Sequence, residues 1–332
     1  MEKVFRIILL LLILSIPAEG QIQFTEQHFL TKVKGGGPVP ADLLKGKTLV
    51  LHSFTFTDSE LNSVQEYFQR TGIDAVSYYP LDVIMAGRDV AAVFAEEFNR
   101  REIKFVCILE KLPDAFRFTF FPFNGKVSLT DEGFAGWQVS DKNLVEALKS
   151  ILRATSGSVK KSNLLINSLP EEGALQNPIK GRRNEFYAAD MKIDLVAIPK
   201  FGNEEMDREL EALIAANFPF KYKMVEPDIP EKELRKQGMF YVMCVVQTRA
   251  KVAQALLGYN AAKSETAVVS VTYPDGQQQL RNIPANAPVY KIYFKHIDSG
   301  NVFLGNKWDA DLTWQSALMN QIRGMKAELR LN

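Results

Sequence analysis

The sequence predicts an α/β protein built from two tandem sandwich units with mixed sheets, each running β-α-β-α-β-hairpin-α. Three observations lead there. Short apolar runs of strand length alternate with amphipathic stretches of helical spacing. That order of elements occurs twice in the 332 residues. A polar, turn-rich stretch at 156–190, containing TSGSVKKSN and NPIKGRRNEF, separates the two occurrences.

The first unit is placed at 47–155. KTLVLHSF reads as a strand. Thr57 and Glu60 then have the spacing of a capping box, followed by Leu61, Val64 and Phe68 on one helical face. Gly72 is suited to end that helix. IDAVSYY is the second strand, the stretch 86–102 the second helix, and IKFVCILE the third strand. FRFTFFPF and KVSLTDE flank Asn124-Gly125, a strong hairpin signal. A closing helix spans 141–155, with Leu144, Leu148, Ile151 and Leu152 inward.

The second unit, 191–332, repeats the order. KIDLVAIP, FKYKMVE and MFYVMCVVQ are strands, and the stretches 203–218 and 231–238 are helices. An inserted helix and hairpin are expected at about 248–287. VYKIYFKHI and NVFLGNKW then form a hairpin before a final helix at 313–329. Cys107 precedes Gly125 by 18 positions, and Cys244 precedes Gly300 by 56, which locates the insertion between third strand and hairpin. A tryptophan follows each hairpin, Trp137 and Trp308. The two halves are therefore read as possible duplicates, with Cys107 and Cys244 in two separate cores and too far apart to bridge.

The first twenty residues differ from the rest. Lys3 and Arg6 precede the apolar run Ile7–Ile16, and Ala18 and Gly20 are small residues before Gln21. That run of about ten residues is short of the ~20 that span a bilayer, so 1–20 reads as a signal peptide. The chain is expected to be exported, periplasmic or envelope-associated, with no transmembrane segment once cleaved. Residues 21–46, with KGGGPVP, read as a leader loop. A formal charge of +1 gives no sign of a nucleic-acid partner.

Catalytic motifs are scarce. LLKGKT ends like a phosphate-binding loop, but Ala41 stands where the first glycine is needed and a strand follows instead of a helix. No G-x-S-x-G is present, and His28, His52 and His296 are the only histidines. In the stretch 295–311, His296 and three aspartates suggest a metal site, but each has a structural reading. Asp298 and Gly300 form a turn, and Asp309 or Asp311 caps the final helix. Neither metal nor cofactor is expected. Phe116, Phe118 and Phe120 share one strand face, with Phe121 on the other. Two readings stand, buried sheet packing and a partner-binding surface. Lys180, Arg182 and Arg183 form a basic cluster, either a solvated linker face or a phosphate contact.

LVAIP, the LEALIAANF helix, YKMVE and the segment VYKIYFKHIDSGNVFLGNKW together resemble periplasmic α/β domains of the TolB amino-terminal and curli-export-channel (CsgG) type. That resemblance implies action through protein contacts in envelope complexes. The expected function is a non-enzymatic binding or assembly module for a protein or envelope component. The alternative is a hydrolase with a carboxylate-based site in the cleft between the units.

Overall fold

A computed structural model describes residues 25–157, 162, 163, 166–173, 175–259 and 266–331. The expected signal peptide and part of the expected linker lie outside the described residues. The protein is mixed α/β, with a seven-stranded and a six-stranded sheet and a separate two-stranded one among the described residues.

In the first half, helix α1 (Glu26–Lys32) and strand β1 (Lys34–Gly35) precede β2 (Lys47–His52). Then come α2 (Asp58–Thr71), β3 (Asp74–Pro80), the short α3 (Leu81–Ile84) and α4 (Arg88–Arg100). β4 (Ile103–Leu112), β5 (Ala115–Pro122), β6 (Ala135–Asp141) and α5 (Leu144–Ser156) complete it. α2 begins as expected: Thr57 and Glu60 cap each other reciprocally, and Gly72 closes the helix at φ 98°. α1 departs from the expected leader loop. Thr25 caps it, and Phe29 anchors it in the core, 6.4 Å from the Phe121 ring.

The Asn124-Gly125 hairpin does not form. Asn124 Oδ1 accepts from Lys126 N, its amide donates to Ser128 and Asp131, and Leu129 is fully buried. That local turn, pinned by Leu129, carries the chain away from β5, so twelve residues separate β5 from β6.

The former linker supplies β7 (Glu171–Glu172) to the first sheet and β8 (Arg183–Asn184) to the second. The second half contains β9 (Leu195–Pro199), α6 (Glu204–Asn217), β10 (Tyr222–Val225), α7 (Glu231–Lys236) and β11 (Met239–Arg249). α8 (Ala250–Leu256) and the hairpin of β12 (Ala267–Thr272) and β13 (Gln279–Pro284) intervene. β14 (Pro288–His296), β15 (Val302–Phe303) and α9 (Trp314–Leu329) follow.

Both sheets share one central order. It is β3-β2-β4-β5-β6 in the first and β10-β9-β11-β14-β15 in the second. In each, three parallel strands are followed by two antiparallel ones. Each half keeps a buried cluster of its own, and the two also share one. α2 and α5 cover one face of the first sheet, and α6 and α9 one face of the second. On the inner side, Val83, Ile84, Val90, Phe94 and Phe98 of α3 and α4 join Val246 and Tyr293 of the second sheet in a single buried cluster.

β14 is covered on both sides over most of its length: Ile292 and Phe294 on one and Val289, Lys291 and Tyr293 on the other are buried. The end of the chain corrects one expectation. The capping of α9 falls to Thr313, whose hydroxyl accepts from Ser316 N, and not to Asp309 or Asp311. Those two aspartates are held by Lys291 and Arg281.

Candidate functional site

In a sheet whose first strand connects to one neighbour and whose second crosses to the other, the strand ends part and leave a ligand crevice. β9 is such a strand, with β10 on one side and β11 on the other. β9 and β11 pair only as far as Ala197 and Val242, after which they diverge. A crevice of about 90 Å³ opens there. Phe201, Val225, Leu234 and Met243 are among its apolar walls, and the first half closes it with Gly87–Val90 at the start of α4.

That closure is built from backbone and charge. Gln247 N donates to Ala86 O at 2.7 Å. Gly87 has φ 155°, and a Cβ there would lie 2.4 Å from the Val245 carbonyl oxygen, so only glycine allows the approach. Arg88 donates to Pro227 O at 2.7 Å. Lys295 Nζ reaches both Asp89 oxygens at 2.6 Å and Glu231 at 2.5 Å. Burial alone would lower the lysine's pKa, but the Cys244 sulfur, Asp89 and Glu231 together hold it above its ordinary value. Cys244 lies 3.7 Å from Asp89 Oδ2, and burial followed by the aspartate's charge pushes its thiol well up. Such a thiol is a poor nucleophile. It is half-buried at the crevice, whereas Cys107 is fully buried, and both thiols are free.

The first sheet has the matching position at the ends of β2 and β4. Asp82 accepts two bonds from Arg249, at 2.7 and 3.1 Å, and one from Thr248 at 2.8 Å, so this carboxylate too joins the halves. Arg249 lies 4.8 Å above the Phe54 ring. Glu26 on α1 faces the same group. Burial, then the charges of Asp82 and Glu110, push its carboxyl up to about 7, against the pull of Arg249. His52 is buried beside them and lowered by that burial.

The residues singled out from the sequence lie elsewhere. Phe118, Phe120 and Phe121 are buried and Phe116 half-buried, so they offer no exposed face. The reason is that β5 is an inner strand, covered on both sides. Lys180 pairs with Glu96 at 2.7 Å, while Arg183 donates to Leu257 O and lies 4.5 Å over the Tyr259 ring. Arg182 is exposed, and only its backbone bonds Asn301. The three do not converge. His296 accepts from Ser299 N, and Asp298 pairs with Arg235 at 2.7 Å. Among the described residues no group of three or more His, Cys, Asp or Glu side chains is placed to hold a metal ion.

Asp82, Asp89, Arg249 and Lys295 were missed from the sequence. The only available signal was Asp82 and Asp89 flanking the turn LDVIMAGRD. Their partners lie more than 160 positions away, out of reach of any local pattern. No helix among the described residues is long and apolar enough to cross a membrane. Compared with protein-family models and with curated proteins, the chain shows no significant match to either.

Proposed function

We propose that this is an exported, envelope-associated protein that binds a protein or envelope component and does not catalyse a reaction. One observation carries the reading: the charged side chains that join the two halves are taken up by one another. Lys295 is held by Asp89 and Glu231, and Asp82 by Arg249 and Thr248. Groups so paired fix the halves together and are poorly placed to move protons. The amino-terminal apolar run and the resemblance of the second half to TolB- and CsgG-type domains favour an envelope setting, the latter by fold analogy alone. Affinity capture from envelope extracts tests it. A specific partner retained at physiological salt is expected, and recovery of none counts against the reading.

A second reading, a carboxylate-based hydrolase, has one observation in its favour. Glu26, with its carboxyl pushed to about 7 beside Asp82 and Glu110, has the protonation behaviour of a general acid. Chromogenic ester, glycoside and peptide substrates, compared between wild type and Glu26→Gln, decide it. Turnover abolished by the substitution would favour the enzyme.

A further inference from the structure

The two sheets differ at their crevices. β2 and β4 stay paired to the end, His52 against Leu109, and Ser53 N continues the ladder to Leu109 O. β11 instead outruns β9, reaching Arg249 while its pairing with β9 stops at Val242. Further along that edge Gln247 bonds the main chain at Ala86. Main-chain groups alternate in direction along a strand, so those of Met243 and Val245 share the Gln247 edge. The Val245 carbonyl points there too but is covered by Gly87, which leaves Met243 O and Val245 N as the groups facing the crevice. Between Val242 and Gln247 no described strand pairs with this edge.

The space beside it is small, about 90 Å³, and partly open to solvent. Phe201, Val225 and Leu234 make it an apolar seat for one aliphatic side chain.

We propose that the crevice seats an extended segment of a partner polypeptide, which bonds its main chain to Met243 O and Val245 N on the β11 edge and buries one aliphatic side chain. This rests on the binding reading above and specifies the partner's chemistry. The occupant follows from what already sits next door. Ala86–Gly87 docks its own backbone on the adjoining part of the edge, so the site continues an existing main-chain interface. Adding a strand to an open edge, with a pocket for a side chain, is a general mode of peptide recognition. A hydrocarbon or lipid chain would fill the space but leave the edge unbonded.

The test is an amide-resonance titration of the isotope-labelled full chain with three probes. They are acetyl-Ala-Leu-Ala-amide, acetyl-Ala-Ala-Ala-amide and isopentyl alcohol. The leucine peptide should shift the Met243 and Val245 amides saturably, in the millimolar range. The alanine peptide should bind at least about tenfold more weakly, because three buried carbons are lost. Isopentyl alcohol, with the branched group and no peptide bond, should shift those two amides far less than the leucine peptide does. No saturable shift with the leucine peptide overturns the proposal, and so does an equal response to either of the other probes. Leu234→Phe fills the space from its wall and should abolish the shifts, with the thermal melt as a check on folding. In the envelope capture, a partner still held by Leu234→Phe overturns this site while leaving the binding reading intact. Loss of that partner supports both.

Discussion

Lys291 has no accessible surface at all, yet its ammonium is fully satisfied. It donates to Asp309, to Gln321 Oε1 at 2.8 Å and to Leu304 O at 2.9 Å. Burial lowers the lysine's pKa and raises that of Asp309, each partly offset by the other's charge. Removing one member leaves the other buried and unpaired, which costs about 3–5 kcal/mol. Asp309→Ala should therefore lower unfolding stability by that amount in urea denaturation. Lys291→Met with Asp309→Leu should recover most of it, and a double variant no better than the single would contradict the pairing argument. Glu26 makes the second residue-scale prediction. Its pKa is raised from 4.5 to about 7 on folding, so the folded state holds its proton more tightly. The stabilisation is complete below ~4.5 and is lost as pH rises through about 7, by roughly 3 kcal/mol at most. Glu26→Gln should melt higher than wild type at pH 8 and approach it at pH 5; parallel melting curves at both pH values would argue against this.

Among the elements, the turn between α3 and α4 is the most constrained. Gly87→Ala forces a Cβ onto the Val245 carbonyl at a backbone angle that L residues rarely adopt. A loss of about 1–3 kcal/mol is expected, from strain of this kind. It should be accompanied by faster hydrogen exchange at Gln247, whose amide bonds Ala86 O. α9 is held differently. Trp314, Leu318 and Ile322 are buried at successive turns, each stabilising by roughly 1.5–3 kcal/mol. Leu318→Ala should cost about 2–5 kcal/mol by equilibrium denaturation. This helix was legible in the sequence because its apolar stripe is local and regular, and so was α2, with cap and C′ glycine both written out. The Asn124-Gly125 turn was misread because the same dipeptide serves a local side-chain turn, and only the burial of Leu129 selects between the two outcomes. The capping of α9 was misplaced for a related reason. Thr313 and two nearby aspartates are all good caps, and the aspartates are withdrawn by cations whose proximity only the fold creates.

For the whole molecule, the repeated strand order was visible as a repeated order of elements, but the union of the halves was not. Periodicity shows that a helix face is apolar without saying which sheet it meets, and α4 meets both. The cluster containing Phe94, Val246 and Tyr293 predicts that the halves melt together. Calorimetry should give one transition with equal calorimetric and van't Hoff enthalpies. Two separated transitions would show that the shared cluster does not couple them. The crevice was likewise hidden, since it exists only where β9 and β11 part company and a glycine from elsewhere in the chain closes the gap.

The pairing of Asp89 with Lys295 also sets a clock. The two residues are 206 positions apart. At a synthesis rate of ~5–20 residues per second, Asp89 waits roughly 10–40 s before Lys295 is made. α4 can fold against the first sheet early, but its second surface stays open for that whole interval. Contacts so distant in sequence also slow folding itself. The early chain is thus an exposed half-interface with the affinity of the finished protein but not its partner, a state in which a holding chaperone is most useful and a second nascent copy most dangerous.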